Sequence, residues 1–543
     1  MEYSKYQLAI KDAFDHTNDN LLVNALAGSG KSFILQTLLN SIQKGRGCYL
    51  AFNKHIQMEM QGKIKNPRVK IYTLHSVGLQ IIKHNLGQKS SDLDTRMIYG
   101  QIRDAIKTVF GKKLKPEVYE YLSEQFLDFY SKFRLNFFKP SETDKLERLV
   151  RDYALFSDPD FEKSFEHDLI YKCLAEIDKA HISAFEKDGK YDFTDMLYLP
   201  LLYLETKEWK LPGWLYFDVI ATDETQDFSR AQALLTTYLK KKDGRIIIVG
   251  DVHQAIYLFA GATSNSIDYM KRLFAPCVEF DLPINYRCPS SHLSLINRLF
   301  NIGILPRPKA NEGEIRKISK EDAIKLAMPN DMVIGRKNKW LIPFILECVK
   351  LGKHVYLKDK EFVDRIVRAI EKQNFASLQA LRDFVEEGVA EYKGRTNLIL
   401  NGLVTPKGTF VAKVEENYTL GREPTKQQIS RAIRPVVEKL ELYETIQILL
   451  NYYQGDTVTD FIAFIRTTIN TENPTNCIYV SSIHGCKGLE SDNVFVLNEN
   501  EPQYQLARES KEQLKQEGNL SYIAGTRAMK KLYLVSPDGE EYA

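Results

Sequence analysis

Residues 25–32 read Ala-Leu-Ala-Gly-Ser-Gly-Lys-Ser, and a lysine followed by a hydroxyl at the end of a glycine-spaced loop is chemistry suited to polyphosphate. Gly28 and Gly30 let the chain bend tightly, so the N–H groups of Ala27, Gly28, Ser29 and Gly30 can converge on an anion at a helix N-terminus. Lys31 would reach the β- and γ-phosphates, and the Ser32 hydroxyl would hold Mg²⁺. A second chemical signal lies far downstream, where the carboxylates Asp223 and Glu224 end an apolar run. Asp223 would hold Mg²⁺ through water while Glu224 polarises the attacking water. The expected cofactors are ATP and Mg²⁺.

These groups need rigid elements behind them. Leu21-Leu22-Val23 reads as a buried strand before the loop, and Phe33-Ile34-Leu35 with Leu38-Leu39 as the helix after it. Tyr216 to Ala221 reads as the strand that delivers Asp223, and Arg245 to Val249 as a further strand running into Gly250-Asp251. Lys31 and Asp223 are separated by far more chain than one strand-helix-strand unit needs, so residues 86–188 must be an insertion. Met97–Val109, Pro116–Phe133 and Phe161–Phe185 give it a helical pattern. The α/β rhythm then restarts. Strands are expected at Asp331–Gly335, His354–Leu357, Cys477–Val480, Val494–Leu497 and Leu532–Val535, with a helix over Trp340–Leu351. Residues from about 361 to 470 are expected to be mostly helical, with a turn-rich break from Lys393 to Thr425. The expected fold class is α/β, with two parallel-sheet domains, each interrupted by a mainly helical insertion. The expected boundaries are 1–85 and 189–274 for the first motor domain around insertion 86–188, then 275–360 and 471–543 for the second around insertion 361–470.

Composition narrows the class without naming a partner. Among 543 residues, 74 Lys+Arg stand against 71 Asp+Glu, so any nucleic-acid surface must be a local patch. The seven cysteines are scattered with no C-x-x-C pair, which argues for reduced thiols over disulfides or structural zinc. No apolar run approaches membrane-spanning length and the first residues lack a signal-peptide core, so a soluble intracellular protein is expected, with no membrane partner.

Motif by motif, in order from Gln7 to Arg527, the chain resembles superfamily 1 helicases of the UvrD/PcrA/Rep type, which implies that the two parallel-sheet domains are RecA-like motor domains. Ala51-Phe52-Asn53-Lys54 resembles motif Ia, Thr73-Leu74-His75-Ser76 motif Ib and Asp192-Phe193-Thr194-Asp195 the segment where the chain returns from the first insertion. Gly250 to Ala262 resembles motif III, Asn285-Tyr286-Arg287 motif IV, Ser482 to Glu490 motif V and Tyr522 to Ala528 motif VI. The resemblance implies that Gln7 reads the adenine edge, Tyr286 stacks on the base and Glu490 accepts from the ribose. Gln254 would sense the γ-phosphate or the attacking water, and Arg287 and Arg527 would act as arginine fingers from the second domain. Phe52, Asn53, Tyr257 and Phe259 match positions that touch single-stranded DNA, where rings stack on bases. His75 and His484 are either DNA-phosphate contacts or satisfied structural histidines. Arg336 is a further candidate grip, following a strand as the family's Tyr-Arg-x-Asn does, with Gly335 in place of the aromatic.

Departures point to a sub-type. Ala260 stands where motif III usually has Arg and Ala51 where motif Ia commonly has Thr. Glu517-Gly518-Asn519-Leu520 lacks the arginine pair that often precedes motif VI, and both insertions are short. The compact form is similar to F-box-helicase-like and phage-encoded relatives. Gln254-Ala255-Ile256-Tyr257 and Lys487-Gly488-Leu489-Glu490 are similar to the 3′→5′ branch of the superfamily. The expected activity is that of an ATP-dependent 3′→5′ translocase and DNA helicase acting on single strands and single-strand/duplex junctions. An accessory nuclease or replication and repair proteins are possible partners. The implied compartment is the cytoplasm of a bacterial or phage-infected cell, or a eukaryotic nucleus. Two other readings stand beside it: a motor that strips proteins from DNA with weak unwinding, and a DNA-binding scaffold with a degenerate ATPase.

Overall fold

Uninterrupted apolar runs become buried parallel strands, as expected when helices cover both faces of a sheet. The computed structural model describes residues 3–87, 93–94, 97–111, 114–153, 155–156, 166–256, 265–400, 426–469, 475–497 and 511–536. It comprises two compact units, Met1–Pro283 and Ile284–Ala543.

In the first unit, β1 (Asn20–Ala25), β2 (Gly47–Ala51), β3 (Val69–Thr73), β4 (Phe217–Thr222), β5 (Lys240–Gly250) and β6 (Cys277–Leu282) form one sheet. Its order is β3-β2-β4-β5-β1-β6, and every pairing is parallel. All carboxyl ends therefore lie along one edge, the place where open α/β sheets bind ligands. In register, Leu22 is level with Ile248, and Ile248 with Thr222, so the loops after β1, β5 and β4 start side by side. The expected boundary at 274 needs correction: β6 pairs with β1, so the first unit runs to Pro283.

The first insertion supplies the helices Met97–Phe110, Pro116–Asn136, Thr143–Asp152 and His167–Asp188. Residues 161–165, at the start of the third expected helix, lie outside the described residues. The insertion does not have a core of its own. Ile102, Phe126, Phe129 and Ile177 share one buried cluster with Ile82, Met196, Tyr198 and Leu199. These last four lie on the motor helices Leu74–Leu86 and Asp195–Glu205. Those two helices meet backbone to backbone at Gly78, where a Cβ would fall 1.5 Å from the Met196 carbonyl oxygen.

The second unit opens with the short pair β7 (Ile284–Asn285) and β8 (Leu305–Pro306). Its main sheet contains β9 (Glu314–Ser319), β10 (Met332–Gly335), β11 (Val355–Leu357), β12 (Ile478–Ser482), β13 (Ser491–Leu497) and β14 (Ala528–Ser536). The order is β11-β12-β10-β13-β14-β9, again parallel throughout. The helix Leu378–Leu400 runs through the start of the expected turn-rich stretch, which corrects its onset at Lys393. Gly388 and Gly394 each cost the helix only about 1 kcal/mol relative to alanine, and Arg395 pairs with Glu391 one turn earlier. Residues 401–425 of that stretch lie outside the described residues.

Candidate active site

The loop after β1 has the backbone an anion cradle needs. Gly28 and Gly30 have φ of 63° and 83°, in the left-handed region that glycine enters freely. A Cβ on Gly30 would also lie 3.3 Å from Gln7 Nε2, so Gln7 borders the loop. The Gln7 side-chain Oε1 accepts the Ser4 N–H at 3.0 Å in a capping box for helix Lys5–His16. Ser4-Lys5-Tyr6-Gln7 has the Ser-x-x-Gln spacing of that box. Lys31 begins helix Lys31–Asn40, whose first-turn N–H groups have no partner inside the helix. The Ser29 hydroxyl, in the same loop, is buried without a hydrogen-bond partner in the structure.

At the end of β4, Asp223 is buried and fully engaged. Tyr49 donates its phenol proton to Asp223 Oδ2 at 2.6 Å, and the Glu224 N–H donates to Oδ1 at 2.9 Å. Burial, and then the neighbouring Glu224, push the Asp223 carboxyl up to about 6, against the Tyr49 hydrogen bond and the Lys31 charge. Glu224 sits at φ 52°, ψ 39°, a left-handed conformation that a non-glycine residue keeps only when its surroundings impose it. Its carboxylate lies 3.7 Å from Lys31 Nζ through Oε1, and its Oε2 accepts from Gln226 Nε2 at 2.5 Å. Asp223 and Glu224 are adjoining carboxylates, and the Ser32 hydroxyl, one residue after Lys31, would complete a hard-oxygen set. That set suits Mg²⁺, which usually takes one or two carboxylates together with phosphate oxygens. The loop, the lysine and this donor set therefore fit a nucleotide and its metal.

After β5, Asp251 accepts the His253 N–H at 3.0 Å, and Gln254 Nε2 donates to Asp251 Oδ2 at 2.7 Å. Gln254 is thus brought to the same sheet edge as Lys31, Asp223 and Glu224. Tyr257 and Phe259, expected to be DNA platforms, lie outside the described residues. Of the other DNA candidates in this unit, Phe52 is partly buried and packs against the apolar cluster that includes Leu50 and Phe217. Asn53 caps helix Lys54–Lys63 by accepting the Ile56 N–H at 2.9 Å. His75 lies in the first turn of helix Leu74–Leu86, and burial lowers its pKa.

The second unit gathers its candidates at two places. Arg287, Glu490 and Arg527 come together where β13 and β14 begin. Arg287 is ion-paired with Glu490 and donates to the Thr526 carbonyl at 3.3 Å. Arg527 is only 1% exposed, and it donates to the carbonyls of Ile523 and Leu489 and to the Thr526 hydroxyl. Tyr286, beside Arg287, is partly buried. Arg336 and His484 sit at the opposite edge, after the neighbouring strands β10 and β12, where the Ile483 N–H donates to Gly335 O at 2.9 Å. Burial, and then the charges of Arg336 and Lys487, push His484 down to about 4, so it is neutral near pH 7. Arg336 makes a two-pronged pair with Glu517, its Nε 2.9 Å from Oε2 and Nη2 2.6 Å from Oε1.

Sequence reading missed two kinds of residue. Tyr49 lies inside a buried strand, where a tyrosine reads as core. Arg134, Asp192, Asp195 and His181 form a buried polar knot between insertion and motor. Within it, Arg134 is 2.6 Å from Asp195 and 2.8 Å from Asp192, and His181 Nε2 is 2.8 Å from Asp195. The paired aspartates of the return segment were the available signal. Tyr49→Phe is expected to lower the stability of the nucleotide-free protein by about 1–3 kcal/mol, because it leaves a buried carboxylate oxygen without its donor. Denaturant unfolding would measure this, and an unchanged midpoint would show that the hydroxyl contributes nothing.

The UvrD/REP helicase N-terminal domain matches residues 7–275, and the UvrD-like helicase C-terminal domain matches residues 218–538. A probable DNA helicase II homolog of Mycoplasma pneumoniae is 24% identical over 95% of this chain and 81% of its own length. The ATP-dependent DNA helicase PcrA of Leuconostoc citreum is 21% identical over 97% and 81%. F-box DNA helicase protein 1 of Schizosaccharomyces pombe is 23% identical over 95% of this chain and 55% of its own length. With a family domain covering more than half of its length, the chain belongs to the UvrD-like DNA helicase family.

Proposed function

We propose that this protein is an ATP-driven motor that moves 3′→5′ along single-stranded DNA and opens single-strand/duplex junctions. The observation that carries the reading is the convergence of Lys31, Asp223, Glu224 and Gln254 at the carboxyl ends of the adjacent strands β1, β4 and β5. Bound Mg²⁺, held through Ser32 and Asp223, would neutralise charge on the phosphates. Lys31 binds the β- and γ-phosphates, Glu224 takes the proton of the attacking water, and Gln254 orients that water. Gln7, Tyr286 and Glu490 hold the nucleoside. Arg287 and Arg527 stabilise the charge that develops in phosphoryl transfer, which requires both arginines to leave their present partners.

On the DNA side, Phe52 with Tyr257 and Phe259 would stack on bases, while Asn53, His75, Arg336 and His484 would meet the backbone. Because His484 is neutral near pH 7, its contribution to a phosphate is a single N–H donor with no net charge. Polarity rests on the resemblance of Gln254 to Tyr257 and Lys487 to Glu490 to the 3′→5′ branch. The test is displacement of streptavidin from biotinylated single strands, with ATP hydrolysis followed in parallel. Displacement is expected to be fast from the 5′ end and slow from the 3′ end, and hydrolysis should be stimulated by single-stranded DNA and weakened by salt. Preferential clearance of the 3′ end would reverse the polarity. Fast 5′ clearance without unwinding of a tailed duplex would make the protein a stripping motor.

A further inference from the structure

We propose that Gln226 is a positioning residue that fixes the Glu224 base and ties it to the Gln254 turn. The inference rests on the reading of Lys31, Asp223, Glu224 and Gln254 as a hydrolytic site. Gln226 is buried, and both ends of its amide are used. Nε2 donates to Glu224 Oε2 at 2.5 Å, and Oε1 accepts the Asp251 N–H at 3.0 Å. The amide orientation is dictated by chemistry, because a carboxylate only accepts and a peptide N–H only donates.

Asp251 continues the path by accepting Gln254 Nε2 at 2.7 Å. An unbroken line of hydrogen bonds thus runs Glu224–Gln226–Asp251–Gln254, from the end of β4 to the end of its neighbour β5. Two further observations fit this role. A Cβ at position 250 would lie 2.8 Å from Gln226 Oε1, so Gly250 preserves the space that the amide occupies. Glu224 holds a left-handed backbone conformation and needs outside restraint. Lys31 approaches one carboxylate oxygen and Gln226 binds the other, leaving the base one orientation. Water activation tolerates little error in that orientation, since a misplacement of about 1 Å can cost about 10²-fold in rate.

The experiment compares Gln226→Ala and the isosteric Gln226→Glu with the wild type, in Glu224 and Glu224→Gln backgrounds. kcat and KM for ATP are measured at saturating single-stranded DNA, and folding is checked by thermal melts. Gln226→Ala is expected to lower kcat by on the order of 10²-fold with little change in KM, because the base is misplaced and not removed from a binding contact. Gln226→Glu keeps the volume but sets a second carboxylate against Glu224, so kcat should fall at least as far in a protein that still folds. In the Glu224→Gln background, Gln226→Ala should add little, since the group it positions no longer acts as a base. Wild-type kcat in Gln226→Ala, or the same fold-loss in both backgrounds, overturns the inference while the hydrolytic reading stands. A wild-type protein that does not hydrolyse ATP overturns that reading and this inference with it.

Discussion

Glu224→Gln is expected to bind ATP–Mg²⁺ with little loss yet hydrolyse it about 10²–10⁴-fold more slowly, the range for removing a general base. The substitution keeps the side-chain volume and an acceptor oxygen toward Lys31, but it takes away the group proposed to accept the proton. Removing one of two adjoining carboxylates also relieves the repulsion that helps to raise Asp223. Nucleotide binding should therefore survive while turnover does not. Single-turnover hydrolysis, alongside binding of a fluorescent nucleotide, separates the two effects. Turnover at the wild-type rate would show that another group activates the water.

Arg134→Ala should be the most destabilising single change in the first unit, at about 3–5 kcal/mol, the usual loss when one partner of a buried ion pair is removed. The Arg134 side chain is 3% exposed, faces two carboxylates and lies 4.5 Å from the centre of the Tyr130 ring. Burial works to raise the Asp195 pKa, but Arg134 and the His181 hydrogen bond outweigh it and hold the carboxyl below its ordinary range. Because the folded pKa is the lower one, this contribution is complete above about pH 4 and is lost only as pH falls toward the folded value. Urea unfolding of Arg134→Ala and wild type at neutral pH gives the difference. A loss below about 1 kcal/mol would mean the charges are solvated and the knot is not a structural weld.

The sequence was most legible where physics is repetitive. Apolar runs such as Leu21-Leu22-Val23 and Ile246-Ile247-Ile248-Val249 could only be interior strands, and the glycine-spaced loop and the Asp-Glu pair sit directly behind such runs. It was least legible at sheet edges. In β6, Cys277-Val278-Glu279-Phe280-Asp281-Leu282 alternates apolar with acidic residues, and β9 carries Arg316 and Lys317. Edge strands carry charge because one side has no neighbour, so the first unit looked shorter than it is. The polar contacts were illegible for another reason. Arg336 meets Glu517 across 181 residues and Tyr49 meets Asp223 across 174. Periodicity reports which face is buried, not which polar groups meet there. Asn53, a motif position expected to touch DNA, also caps helix Lys54–Lys63, an element absent from the expected set.

The close approach of Gly78 to Met196 has a mechanical consequence. The two helices that carry the chain into and out of the first insertion are clamped to each other with no side chain between them, and the aromatic interior of the insertion continues over the same pair. Among the described residues the insertion has no core separate from that helix pair, so a load on its helices is passed to the motor helices that follow β3 and precede β4, as through a bracket cast in one piece with its wall.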